Sequence, residues 1–350
     1  LDTTQVSWAS DKKIYTTGIS DDKTKLLIYK RYLKKGSLIL SAKLYDLSFQ
    51  LLDSVHYSTA FSKKKDYMSD CALDNSGNIY MCMQSRNANN RAYSTLFSLL
   101  HLFQQPGFEK QPVQLDNTQL LQASLKADNY HSRCLITAGF STGSKYREDG
   151  VFLGITDSVS PSVKQTNFLQ YSDSVKSVVR RSGGNLYDED DMKPMNLIIK
   201  KNGSLVLIEE DAFEETIHMM SPFNNFPISG GDGYGSPYDY YYSPYSSGIY
   251  NRNMGRTNKR YTCNNINVIQ IDSSLSHHWL RVISKNQYAE DDDSYLSFMM
   301  MIQSKEMHFI YLSNQNQRHI LTHIGIASNG ESVKYPTLRG SGNQYDFRPR

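Results

Sequence analysis

Polar turn signals followed by apolar strands return along this chain, and that return constrains the fold more than any other feature. They stand in "SDDKTKLLIYK" (20–30), "ALDNSGNIYMCM" (72–83), "SLKADNYHSRCLITAGF" (124–140), "IIKKNGSLVLIEE" (198–210) and "MIQSKEMHFIYL" (301–312). Each predicts a β-hairpin: small polar residues make the reversal, and alternation on either side gives one buried face. Asn202-Gly203 is the preferred dipeptide of a two-residue type I′ turn. A second unit recurs between these hairpins, in "SAKLYDLSFQLLDSV" (41–55), "VFLGITDSVSPSVKQ" (151–165), "NVIQIDSSLSHHWLRVI" (267–283) and "THIGIASNGESVKYP" (322–336). In it a strand ends near a small or acidic residue, turns through serines and returns.

Two hairpins make four antiparallel strands, and the first three turns, near residues 22, 75 and 128, are about 53 residues apart. That is the pattern of a propeller blade. One four-stranded sheet cannot bury both its faces, so such sheets must cover one another around an axis. The expected fold is therefore all-β, a β-propeller of four-stranded antiparallel blades in a single domain over residues 1–350. Five repeats are visible and "NQYDFRPR" (343–350) reads as the start of a sixth, so six or seven blades are expected of a complete disc. This predicts a C-terminally truncated chain, and Leu1 in place of an initiating methionine suggests a processed or trimmed start.

The segment with the best claim to a helix, "AYSTLFSLLHLFQ" (92–104), also alternates and falls where a third strand belongs. The surplus length between the third and fourth turns falls on "RRSGGNLYDEDDMKP" (180–194), a polar loop. The surplus after the fourth lies between "GSLVLIEEDAFEE" (203–215) and "RYTCNNINVIQID" (260–272), two neighbouring strands of one blade. The Tyr/Gly/Ser/Pro-rich stretch over 217–260 is thus an insertion within a blade, not an interdomain linker.

Composition agrees with half-wet β-structure: 25 tyrosines against 14 phenylalanines. A net charge of +3 with scattered basic residues lacks the concentrated positive face that phosphate binding needs, which argues against a nucleic-acid partner. No apolar run reaches the ~20 residues of a membrane-spanning helix. The four cysteines show no C-x-x-C spacing, which argues against a zinc or redox site. If Ser76-Gly77 forms a two-residue turn, Cys71 faces Cys82, close enough for a disulfide or for two neighbouring thiols packed between blades.

At this point the residues resemble a family of extracytoplasmic β-propeller-like proteins of Bacteroidota. The elements that carry the resemblance are "KKNGSLVLIEE" (200–210), "YDYYYSPY" (238–245), and the run from 264 to 300. That run holds a tryptophan segment ending at Trp279, the I-x-K-x-Q of Ile283, Lys285 and Gln287, an acidic turn, and the Y-x-S-F of Tyr295, Ser297 and Phe298. "HFIYLSNQNQ" (308–317) and "FRPR" (347–350) fit the later part of the same family pattern. The likeness covers roughly the last 150 residues closely and the first half by its repeat. Asn202 stands where that family often has Asp, and either residue suits the turn. The resemblance implies export to the periplasm or cell surface, association with the outer membrane, and no established active site.

Motifs with chemical promise mostly lack their context. "GFSTG" (139–143) matches the nucleophile elbow, but a loop and a strand come after Ser141 where a helix is required. "DEDD" (188–191) and "EDDD" (290–293) lack the glycine and spacing of a calcium loop. Glu209, Glu210 and Asp211 would serve glycoside hydrolysis only if they converged on a cavity. His277 and His278 beside Trp279 point to opposite faces of a straight strand and cannot chelate one ion together.

Tyr234, Tyr238, Tyr240, Tyr241, Tyr242, Tyr245 and Tyr250 offer rigid amphipathic area suited to protein recognition. An insertion with no specific role is the competing account. The expectation is a binding or scaffold subunit of a cell-envelope assembly, without catalytic residues, metal or cofactor, peripheral to the membrane or lipid-anchored. A glycan-binding or glycan-degrading propeller using its central channel is the alternative, and a peptidase accessory domain a third.

Overall fold

The computed structural model describes residues 15–86, 92–142, 148–172, 192–218, 257–290, 296–303, 305–315 and 318–336. Among these there are strands and turns and no helix. The first sheet carries β1 (Thr16–Ile19), β2 (Lys25–Lys34), β3 (Ser37–Asp46) and β4 (Leu51–Ala60), in that spatial order. In the second, β5 (Asp66–Met68) and β6 (Ala72–Leu73) share the first position. Then come β7 (Ile79–Ser85), β8 (Thr95–His101) and β9 (Glu109–Val113). In the third, β10 (Gln119–Leu120) and β11 (Ser124–Asp128) share the first position, before β12 (Arg133–Ser141), β13 (Gly150–Asp157) and β14 (Val163–Gln170). The fourth runs β15 (Met192–Ile199), β16 (Leu205–His218), β17 (Thr257–Ile271) and β18 (His277–Ile283), with β19 (Gln287–Glu290) also paired to β17. The fifth runs β20 (Met299–Gln303), β21 (Glu306–Gln315), β22 (Arg318–Ala327) and β23 (Ser332–Tyr335).

Each repeat in the sequence has thus become one sheet of four consecutive strand positions, as blades are built. The segment over 92–104 holds strand β8, as its alternation indicates. The residues 219–256 connect β16 to β17, adjacent strands of one sheet. The tyrosines from Tyr234 to Tyr250 lie outside the described residues.

The chain divides into two compact units. The first is 1–209 with 267–282, the second 210–266 with 283–350. In the first unit, burial records how the sheets stack. Strand β3 alternates half-buried and buried along "SLILSAKLYD", with Leu38, Leu40, Ala42 and Leu44 on the covered face. Strand β7 is buried on both faces over "IYMCMQ", and β13 over "GVFLGIT". Leu27, Leu40 and Leu44 pack with Ile79, Met81 and Leu99 between the first and second sheets. Cys82, Leu96, Ile136 and Phe140 fill the space between the second and third. Leu153 and Leu169 meet Leu205, Leu207, Ile269 and Ile271 beyond the third. Each inner sheet hides one face against each neighbour, the arrangement that sheets of this size need.

The repeated turns interlock in the same unit. Asp22 N–H donates to Asn75 Oδ1 (3.1 Å), Asn75 N–H to Asn129 Oδ1 (2.6 Å), and Asn129 Nδ2 to Asp21 Oδ2 (2.7 Å). Three successive turns, spaced as the sequence repeat is, therefore close a ring of hydrogen bonds around one point. The serine-bearing turns also form as expected: Asp46 Oδ1 accepts from Ser48 and Gln50 N–H, and Asp272 Oδ1 from Ser274 and Ser276 N–H.

Two local expectations are corrected. At 74–78, Asp74 N–H bonds Asn78 C=O, and Gly77 N–H bonds Asp74 C=O with Gly77 at φ +101°. The loop is one residue longer than a two-residue turn, with the extra residue absorbed at glycine. Register then pairs Ala72 with Tyr80 and Leu73 with Ile79, which sets Cys71 across from Met81. Such a one-residue slip turns side chains to the other face. Cys71 joins the core between the first two sheets and Cys82 the core between the second and third, and both are free thiols. Burial pushes each up to about 12. At 200–204 the same loop recurs with Gly203 at φ +81°, and Asn202 does not take the positive φ a type I′ turn requires.

Candidate functional site

The acidic run in β16 holds the densest buried polar chemistry among the described residues. Glu209, Glu210 and Asp211 sit inside the strand at 3%, 1% and 2% exposure. Successive residues of a strand face opposite ways, so Glu210 points away from Glu209 and Asp211; of those two, Glu209 bonds Tyr171 and Asp211 lies beside Asn264.

In the first unit, Glu209 meets Tyr171, which is buried just after β14. The Tyr171 hydroxyl lies 2.6 Å from Glu209 Oε2 and 3.1 Å from Glu148 Oε1. One phenolic proton cannot serve two ionised carboxylates, and Glu209 has no access to water. Burial pushes its carboxyl up to about 7, against the opposing hydrogen bond from Tyr171. With a proton on Glu209, both contacts become hydrogen bonds at once.

In the second unit, Glu210 is ion-paired with Lys285, whose side chain is fully buried. Lys285 Nζ also donates to Gln287 Oε1 (2.6 Å) and to the Cys263 carbonyl (3.4 Å), so all three of its N–H donors are engaged. Ser297 Oγ donates to Glu210 Oε2 (2.7 Å) and its N–H to Gln287 Oε1 (2.9 Å), while Gln287 Nε2 donates to the Leu312 carbonyl (2.7 Å). The network ties β16, β17, the start of β19 and β21 together. Burial lowers the Lys285 pKa, and the Glu210 charge opposes that shift. Lys285, Gln287 and Ser297 are the polar residues of the I-x-K-x-Q and Y-x-S-F elements, so those elements converge on a structural ion pair. Asp211, raised to about 6 by burial, is eased by the nearby Asn264.

The other residues singled out in the sequence stand apart from this network. Ser141 is buried at the end of β12, paired with Gln119 of β10, and the next described element is strand β13 rather than a helix. His277 and His278 are exposed at the start of β18, and Trp279 is buried. Glu290 pairs with Arg260 at 3.0 Å, while 188–191 and 291–293 lie outside the described residues. Among the described residues no three His, Cys, Asp or Glu side chains gather as a metal-binding group, and no helix is long and apolar enough to cross a membrane.

Sequence reasoning missed one cluster. In the fifth sheet His308 Nδ1 lies 3.0 Å from His323 Nε2. The signal was present: "HFIY" and "THIG" each place a histidine in one arm of a long hairpin.

No family model and no curated protein matches this chain. Among solved structures, it is similar to hydrazine synthase of Kuenenia stuttgartiensis, at TM-score 0.43 and 12% identity, over 96% of this chain and 69% of that one. A mutant of the apocarotenoid oxygenase of Synechocystis gives 0.43 and 7%, over 92% of this chain and 60% of the other. The WD40 domain of SCAP from fission yeast gives 0.28 and 8%, over 95% and 78%. The chain thus spans about 60% of the oxygenase it matches. At such distances these likenesses say nothing about activity.

Proposed function

We propose that the protein is a binding or scaffold subunit built as a β-propeller, docking a protein partner through its tyrosine-rich insertion. The observation that carries this reading is where the insertion stands. It joins β16 and β17, which at 14 and 15 residues are the longest strands among the described residues. A long hairpin braced by a buried ion pair is a rigid mount, and rigid mounts are where recognition loops are displayed. Tyrosine supplies contact area there at small entropy cost.

Each of the five sheets stands for one blade, four strand positions in chain order. The resemblance of the C-terminal half to exported propeller-like proteins favours an assembly in the cell envelope, at the periplasmic or outer surface.

The test replaces Tyr238, Tyr240, Tyr241, Tyr242 and Tyr245 with serine in the full-length protein and compares what co-purifies from native membranes. Loss of a specific envelope protein with the fold retained is the expected result. Unchanged recovery of every partner ends the docking reading. A positive glycan array or hydrolase panel on the unaltered protein would favour the channel alternative instead.

A further inference from the structure

We propose that the fifth sheet carries a copper-binding site formed by His308 and His323 with Met301 as a thioether ligand. The three residues share one face of the sheet. Register pairs Met301 of β20 with His308 of β21, and His308 with Gly325 of β22, two residues from His323. Met301 is 42% exposed and stands across from His308 in the register.

The imidazoles are held rather than loosely adjacent. The Tyr335 ring stacks on His323, with centroids 4.4 Å apart and 20° between planes. Gly325 makes this stack feasible, since a Cβ there would stand 2.8 Å from the Tyr335 ring. The Tyr335 hydroxyl donates to Glu306 Oε2 (2.8 Å), and the same oxygen lies 3.8 Å from His308 Nε2. At that distance the carboxylate stands just beyond hydrogen-bond reach of His308 Nε2, on the side from which a carboxylate orients a metal-bound histidine. Glu306 is therefore a positioning residue and not a direct ligand.

The spacing selects the metal. A shared proton bridges the two nitrogens, 3.0 Å apart, in the metal-free chain; an ion that replaces it with bonds of roughly 2.0–2.1 Å subtends about 95°. That is close to the right angle of a tetragonal copper(II) centre and narrower than zinc's tetrahedral angle. A thioether favours copper(I) over harder ions, so the set suits copper in both oxidation states. Water or a partner's donor completes the coordination on the open face.

Metal-free full-length protein is titrated with copper(II), and with copper(I) under reductant, each in competition with a chromogenic chelator. The expected result is one copper(II) per chain, with electron-spin resonance showing nitrogen coupling from two imidazoles. His323→Gln should weaken it at least ~10-fold, and Glu306→Gln by ~10-fold while leaving the two-nitrogen signature. Met301→Leu should weaken copper(I) by ~10-fold and leave copper(II) within about twofold. A double change of His277 and His278 to glutamine should alter neither. Melting of each metal-free variant checks folding. Should His323→Gln not fold, the Met301→Leu result and the resonance of the unaltered protein decide the matter. No copper bound, full retention in His323→Gln, or loss only in the His277/His278 variant would overturn the site.

Discussion

The two compact units are held together internally by different means. In the first, sheets stack through leucine, isoleucine and methionine, and buried polar side chains such as Gln84 and His101 bond main chain or a single carboxylate. In the second, a fully buried lysine and glutamate sit at the centre of a hydrogen-bond network. The contrast locates specificity in the second. An apolar interface accepts any side chain of suitable volume, whereas the Lys285 network demands each partner in place.

The largest effect should come from breaking that network. Lys285→Ala leaves Glu210 buried without its counter-charge and should cost about 3–5 kcal/mol in denaturant unfolding. Replacing Lys285 and Glu210 together with methionine and leucine should recover most of the loss, because both charges then disappear. A single replacement costing under about 1 kcal/mol would show the pair to be dispensable. On the apolar side, Leu40→Ala or Met81→Ala should cost about 2–4 kcal/mol, with Leu40→Met costing under about 1.5 kcal/mol. If Leu40→Met proves as severe as Leu40→Ala, the contrast in tolerance between the two regions is lost.

Much of this was legible in the sequence because the signals are local. Turn chemistry and alternation marked five hairpin units, and the strand content of 92–104 came from its two-residue period. The insertion's place between β16 and β17 came from two strands that needed each other. What escaped depended on a single residue of register or on contacts between distant strands. The extra residue at Gly77 moved Cys71 across from Met81, a change that no pattern of apolar residues announces. The partnership of Glu210 with Lys285 needs two segments about 75 apart in sequence to meet. The histidine pair becomes visible only once the β21–β22 register is known.

The carboxyl in the first unit gives a smaller, pH-dependent contrast. Glu209 takes up its proton at about 7 in the folded chain, against an ordinary 4.5. Between those values the folded state binds more protons than the unfolded one, so stability falls as pH rises through that window and levels off above it. The change should be on the order of 3 kcal/mol. Glu209→Gln, whose amide N–H can donate to the Tyr171 oxygen as the protonated acid does, should flatten the profile between about pH 4.5 and 7. An unaltered slope in that variant would assign the dependence to another group.

The smallest effect tests the ring of turns. Asn75→Ala removes the acceptor for Asp22 N–H while leaving its own main-chain donation to Asn129 in place. The lost bond lies at an exposed edge where water can replace it, so the cost should be about 0.5–1 kcal/mol. Asn129→Ala removes two of the three links, the acceptor for Asn75 N–H and the donor to Asp21, and should cost about twice as much. If the ring acts as a unit, the double variant should cost less than the sum, because the Asn75 and Asn129 changes disable the same closed circuit. Additive costs would instead make the turns independent clasps, and the first unit would then owe its order of stacking to the apolar faces alone.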